Sequence, residues 1–447
     1  MIKTLKDYYK FSELPVEVRL EGSLVDEKGF FLFGANTSCF GGTTILNTVK
    51  KEHLNLVDVG TYSSLTHGHL SLPFVIDEIV NNLRLEKYIE NSISREDQST
   101  LNRAFHGIYY FLRPIFPVQV RKHLQRVALG NWQNQKFPHW PVDFSVDNLC
   151  EGILKTILRD SGSNKIPFIW FWPKGYSACI MMTHDVETAV GRDACGNLMD
   201  IEDQFGFKSS FEIVPEVRYE VPESFLDEIR TRGREICLHG LNHDGQLFAS
   251  KQIFLERVGR INDYAEKFGA IGFRSPVMYR NVEWFKYFRF KYDMSIPNVG
   301  QLDPQRGGCC TVMPFFIGNV LELPLTTIQD YSLYHYLEKD TIDLWKRQAS
   351  MIIEKSGLIS FIIHPDYTLS NKKQEIYSSL LQHLCALRDK KNAWVALPRE
   401  VYHWWNLRSQ MNLVTEYGRT RIIGEGNENA RLAHAMLDGN SLKYELE

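Results

Sequence analysis

From residue 176 onward the chain alternates short apolar runs with longer amphipathic stretches, and this rhythm constrains the fold more than any other feature. "SACIMMTHD", "FKSSFEIVP", "REICLHG", "AIGFRSP", "NVLELPL" and "LISFIIHPD" read as strands. "NLMDIEDQFG", "PESFLDEIRTRG", "QIFLERVGRINDYAEKFG" and "TIDLWKRQASMIIEKSG" read as the intervening helices. Gly206, Gly233 and Gly269 stand where a helix end favours a left-handed residue. "VEWFKYF" with "KYDMSIP" continues the beat, and a last helix from about Gln374 to Asp389 leads to "AWVALP". Strands separated by helices imply βα units around a parallel sheet. Seven or eight units over roughly 230 residues fit a closed barrel better than an open sheet.

The preceding residues lack that beat. The stretch 19–34 reads as a hairpin turned by Glu27-Lys28-Gly29, and 73–89, 101–117 and 120–132 read as helices. Another helix starts at Ser145 as N-cap, with Val146, Leu149, Ile153 and Ile157 on one face. "KFPHWPVD" is a Pro- and aromatic-rich linker expected to pack against a neighbour. After about residue 410 a short polar extension suggests a helix and a strand. The expected organisation is an N-terminal α+β accessory domain (1–160), a barrel (161–410) and a C-terminal extension (411–447).

Several function classes are disfavoured by composition. A net charge of −3 gives no electrostatic case for nucleic acid or an anionic membrane. No run of about 18 apolar residues predicts a spanning helix, and the first 20 residues contain no apolar core of signal-peptide length. A cytoplasmic protein is the expectation. The 8 cysteines form no CxxC pair. Cys179 and Cys237 read as small core residues, and the adjacent Cys309 and Cys310 as thiols rather than a disulfide.

The polar residues fall at the strand ends: Asp185 and Glu187, His239, Arg274, Asp293 and Ser295, and His364 with Asp366. In a parallel βα barrel those ends share one face, the face that carries the chemistry. With 14 histidines in 447 residues, roughly 0.4 four-apart pairs arise by chance, so His239 and His243 carry weight only through their place just after a strand. Two such imidazoles can face one cation, and a carboxylate as third ligand leaves a position open for water, the pattern of catalytic zinc.

"THDVE", "HGLNH", "RSP", "DMS" and "FIIH", in that order, resemble the five motifs of the NodB-type polysaccharide deacetylases, carbohydrate esterase family 4. The resemblance covers about residues 170 to 405. It implies a distorted (β/α)7-type barrel that removes acetyl groups from N-acetylated sugars with a divalent metal, zinc by this ligand set. By similarity Asp185 matches the catalytic base, His239 and His243 the metal ligands, Arg274 the arginine that orients the base, and His364 the general acid. The commonest first motif has adjacent aspartates. Here Val186 separates Asp185 from Glu187, which takes the ligand place of the second acid. His184 reads as structural, and Asp366 as either an orienting partner of His364 or a helix start.

The chemistry is coherent on its own terms. Amide hydrolysis needs an activated water, charge relief at the carbonyl oxygen and a proton for the leaving amine. Three readings are open: an N-deacetylase acting on a carbohydrate, an O-acetyl esterase or small-amide hydrolase on the same barrel, and a non-catalytic glycan-binding barrel. The first is favoured, with a cytoplasmic sugar intermediate as substrate. The sequence leaves the particular glycan and the oligomeric state open.

Overall fold

The computed structural model describes residues 2–45, 56–89 and 132–447. The helices expected at 101–117 and 120–132 lie, Trp132 apart, outside the described residues. Seven strands build the barrel: β1 (Cys179–Val186), β2 (Ser210–Ile213), β3 (Glu235–His239), β4 (Gly272–Arg274), β5 (Tyr292–Asp293), β6 (Val320–Glu322) and β7 (Leu358–Ile362). β1 to β6 pair in chain order, every ladder parallel, and β7 pairs parallel with β1. Among the described residues no ladder joins β6 to β7. Hydroxyls close that seam instead. The Thr326 amide donates to Ser360 Oγ at 2.9 Å, Thr326 Oγ1 to the Leu358 carbonyl at 2.7 Å, and Thr327 Oγ1 to the Ser360 carbonyl at 2.7 Å. The result is the distorted (β/α)7-type barrel that the motifs imply.

The helices begin and end where side chains and glycines satisfy their free backbone groups. Thr188 caps α1 (Ala189–Phe205) and Ser250 caps the helix Lys251–Phe268, each through a backbone N–H three residues on. Both end on a left-handed glycine, Gly206 and Gly269. α1 begins eight residues before the expected "NLMD", because Gly191 and Gly196 dilute the apolar period that would reveal its first turns.

Three expectations outside the barrel are corrected. The hairpin is Gly29–Leu32 with Ser38–Gly41, not 19–34. Gly34, at φ +72°, makes the reversal, and its N–H donates to Asp58 Oδ1 at 2.9 Å. The stretch Glu17–Leu20 instead pairs parallel with His69–Leu72. Ser145 is the first helical residue rather than the cap, and its N–H donates to Asp143 Oδ1 at 2.7 Å. The C-terminal extension holds no α-helix. The pairs Asn412–Glu416 with Arg419–Ile423 and Leu432–Asp438 with Ser441–Leu446 are antiparallel, and Leu432–Asp438 also pairs with Lys165–Ile169.

The linker packs down as its composition suggests. Gln301 Nε2 donates to the Pro138 carbonyl at 2.6 Å, Gln348 Nε2 to that of Pro141 at 3.0 Å, and Asn298 Nδ2 to that of Asp143 at 2.7 Å. Cys179 and Cys237 are buried core residues, and all eight cysteines are free thiols.

At the start of β3, far down the barrel from the polar strand ends, Glu235 is buried against Tyr292 Oη at 2.5 Å and the Arg399 amide at 2.9 Å. Burial pushes its carboxyl up to about 7, against the hydrogen bonds that favour the charged form. A carboxyl whose folded pKa is raised binds its proton more tightly in the folded state. Its contribution is therefore fully present below the unfolded value and is lost as pH rises through about 7. Glu235→Gln, which keeps an acceptor for the Tyr292 hydroxyl, should remove that loss, a gain of roughly 3 kcal/mol at pH 8 relative to pH 4. Urea melts of both proteins at the two pH values test this; an unchanged pH dependence refutes the assignment.

Candidate active site

The site lies where β1, β3, β4 and β7 end. Residues of a strand alternate in direction, so Thr183 and Asp185 point from β1 to the same side, and Glu187 follows just beyond its end. His239 closes β3 and Arg274 closes β4. His364 lies two residues past β7. The six residues to which the motif resemblance gives roles meet here. Glu187 Oε1 is 2.9 Å from His243 Nε2, 3.6 Å from His239 Nε2 and 3.5 Å from His364 Nε2. Asp185 Oδ2 is 3.7 Å from His239 Nε2.

The two imidazoles are held apart by a tight turn. Gly240 has φ +67°, and a Cβ there would come within 2.5 Å of Pro276 Cγ, so only glycine fits between the strand and the loop that follows Arg274. His243 itself is left-handed, at φ +54°. Non-glycine residues adopt that region at a cost, and such residues concentrate at functional sites.

The donor set fits a divalent cation. His239 Nδ1 donates to the Arg274 carbonyl at 3.2 Å, which leaves the Nε2 lone pair facing the site. His239 Nε2 and His243 Nε2 are buried, yet neither makes an aligned hydrogen bond, although Glu187 lies beside both. Buried polar atoms are normally partnered. Ligand atoms of Glu187, His239 and His243 all lie within 4.8 Å of one another, and those of Asp185, Glu187 and His364 do the same. Two neutral imidazoles and a carboxylate are a zinc-type set.

Around this centre the charges are ordered. Burial pushes the Asp185 carboxyl up, but Arg274, His239 and His364 outweigh it and hold the group below the usual range. Arg274 Nη1 donates to Asp185 Oδ1 at 2.7 Å and to Thr183 Oγ1 at 2.8 Å. Glu187 is likewise held well down, burial being outweighed by His243 and the neighbouring imidazoles. His364 is pushed well up: burial opposes its charge, but Asp330 more than compensates.

Asp330 was not legible in the sequence. It sits in an ordinary-looking "IQDYSLYH" run, and its carboxylate accepts from His364 Nδ1 at 2.6 Å and from the His364 amide at 2.7 Å. Of the two readings of Asp366, the helix start is the one found: it lies in a turn of 3-10 helix at Pro365–Tyr367 and accepts from Thr188 Oγ1 at 3.2 Å rather than orienting His364. Glu212 was missed as well. It lies 3.4 Å from Arg274, and only its place on an inward-facing strand position could have marked it. Asp293 and Ser295 bond each other, with Ser295 Oγ donating to Asp293 Oδ2 at 3.0 Å. His184 points away from the site and spans Glu202 and the Ile363 carbonyl, 2.8 and 2.9 Å away.

No family model and no curated protein matches the chain. Among solved structures it is similar to a Mycobacterium smegmatis protein assigned as a polysaccharide deacetylase, at 18% identity over 56% of this chain and 98% of that one, with a TM-score of 0.46. It is similar to the peptidoglycan deacetylase PdaC of Bacillus subtilis at 12% identity, 53% and 94% coverage and a TM-score of 0.34. A family 4 carbohydrate esterase from Streptomyces lividans gives 10% identity, 50% and 93% coverage and a TM-score of 0.33. Over about half its length, then, the chain resembles solved polysaccharide deacetylases of carbohydrate esterase family 4.

Two predictions concern the site itself. Metal affinity, measured by equilibrium dialysis with zinc, should fall in the order wild type, Glu187→Asp, Glu187→Gln. The shorter acid loses reach by about 1.5 Å, against a tolerance of roughly 0.2 Å, and the amide loses the charge. Equal zinc content in all three proteins excludes Glu187 as a ligand. Asp330→Asn should leave zinc binding intact while lowering the His364 titration midpoint in imidazole NMR spectra, because the charge that raises it is gone. An unmoved midpoint removes Asp330 from that role.

Proposed function

We propose that the protein is a metal-dependent hydrolase that removes acetyl groups from N-acetylated sugars. One observation carries this reading. A single end of the barrel brings together an aspartate clamped by arginine, a cation-type donor set whose two imidazole Nε2 atoms make no aligned hydrogen bond, and a histidine whose protonated form a buried acid favours. Glu187, His239 and His243 would hold the metal, which supplies polarisation of the acyl oxygen and a more acidic water.

The chain's own residues supply the rest. Arg274 fixes the Asp185 carboxylate and keeps it ionised, so Asp185 can take the proton of the attacking water. As the C–N bond breaks, the electron pair leaves on nitrogen, and His364 Nε2 delivers a proton to it. Asp330 holds that imidazole by its other nitrogen and by its backbone amide. A poor leaving group such as an amine needs that proton more than an alcohol does, which favours the amide over the ester.

Elemental analysis of the purified protein, with a free-amine assay on N-acetyl sugars beside an acetate assay on O-acetyl sugars, tests the proposal. Bound metal and amine release are expected, and Asp185→Asn should keep the metal while losing about 10²–10⁴-fold in turnover. Metal-loaded protein that releases acetate only from the esters, or from neither class, overturns it.

A further inference from the structure

Two consecutive residues in the loop after β4, Val277 and Met278, lie in the left-handed region at φ +62° and +57°. One non-glycine residue there is uncommon, and a β-branched one more so. Strained backbone of this kind persists where its surroundings over-determine it. Residues 275–280 are held in that way from both sides.

On the side of the site, the loop touches both halves of the histidine pair. It leaves β4 through the Arg274 carbonyl, which accepts from His239 Nδ1 at 3.2 Å. Pro276 then packs on Gly240, the first residue of the turn that leads from His239 to His243. A shift of this loop therefore moves the ring of one imidazole and the turn that carries the other.

On the far side, the loop is held by a residue of the N-terminal region. Arg280 Nη1 donates to the Met278 carbonyl at 2.8 Å, so the guanidinium reaches back across the strained pair. Gln305 fixes the Arg280 backbone, accepting its amide at 2.9 Å and donating to its carbonyl at 3.2 Å. The guanidinium itself is buried and forked onto Glu86, with Nε to Oε2 at 2.7 Å and Nη2 to Oε1. Glu86 is pinned in turn by the Gly308 amide at 2.6 Å. A buried guanidinium that loses its carboxylate is left uncompensated. Its side chain then moves toward other acceptors, and the Met278 carbonyl loses its donor.

We infer that Glu86 is a positioning residue of the metal site: through Arg280 it holds residues 275–280 in the strained form that sets the spacing of His239 and His243. This rests on the reading of Glu187, His239 and His243 as cation ligands. Glu86 acts through geometry and not through ligation, and a metal–ligand distance tolerates a change of only roughly 0.2 Å.

The test is equilibrium dialysis of the full chain with zinc, on wild type, Glu86→Gln, Arg280→Lys and Leu154→Ala. Glu86→Gln keeps the size and removes the charge. Arg280→Lys keeps the charge and removes the fork that joins Glu86 to Met278. Leu154, buried in the helix Ser145–Asp160, is the control: its truncation lowers stability by leaving a cavity, as urea melts of the metal-free proteins will show. Both changes at the Glu86–Arg280 pair should weaken zinc binding at least ~10-fold, as loss of a residue supporting a ligand does. Leu154→Ala should stay within about twofold of wild type, as independent sites do. At saturating cobalt the visible absorption band should shift in Glu86→Gln and not in Leu154→Ala, because only the former changes ligand geometry. Zinc affinity within twofold of wild type in either pair variant, an equal loss in Leu154→Ala, or an unmoved cobalt band in Glu86→Gln overturns the inference. If wild type and Glu86→Gln bind zinc alike, the inference falls and the metal reading stands. If wild type binds neither zinc nor cobalt, the metal reading falls and takes the inference with it.

Discussion

The guanidinium of Arg274 is the charge on which the rest of the barrel mouth depends. It is buried, it faces the carboxylates of Asp185 and Glu212 at 2.7 and 3.4 Å, and its Nε donates to the Met294 carbonyl at 3.1 Å. Two buried acids this close cannot both ionise without a cation between them. Arg274 gives the larger share to Asp185, and Glu212, under burial and the neighbouring aspartate, is raised instead. Glu212 in turn holds β1 against β2, accepting from the His184 amide at 2.8 Å and from Ser210 Oγ at 2.5 Å. One ion-pair cluster therefore both ties strands together and favours the ionised form of Asp185. Removing either partner would leave an uncompensated buried charge, which is why such clusters tolerate little change.

The chain outside the barrel supports the face that carries the site. Glu86, buried and left-handed at φ +58°, pairs with Arg280, six residues beyond Arg274 in the same loop. It also accepts the Gly308 amide at 2.6 Å, while Tyr88 Oη donates to the Gly308 carbonyl at 2.7 Å. The N-terminal region thus grips two loops that follow β4 and β5. A further buried acid, Asp147, accepts from Tyr8 Oη, Thr311 Oγ1 and the Val312 amide, linking three distant stretches. The C-terminal strand Leu432–Asp438 covers Lys165–Ile169 just before the barrel begins. None of the described helices is long and apolar enough to cross a membrane.

What the sequence determined follows from periodicity and from local chemistry. Glycines at helix ends and apolar runs of strand length are signals carried within a few residues, so the order of βα units was readable, while the hydroxyl caps at Thr188 and Ser250 emerged only in the structure. The cluster of Asp185, Glu187, His239, His243, Arg274 and His364 was readable too, through its ordered motifs and because a parallel barrel sends every strand's C-terminal end to one face. Tertiary structure alone decided the partners. Asp330 meets His364 across 34 residues, Glu212 meets Arg274 across one intervening strand, and Gly34 rather than Gly29 turns the N-terminal hairpin because Asp58 waits to accept its amide. Such choices depend on which buried donor finds which acceptor, an energy set by three-dimensional proximity and desolvation that no local pattern of residues encodes.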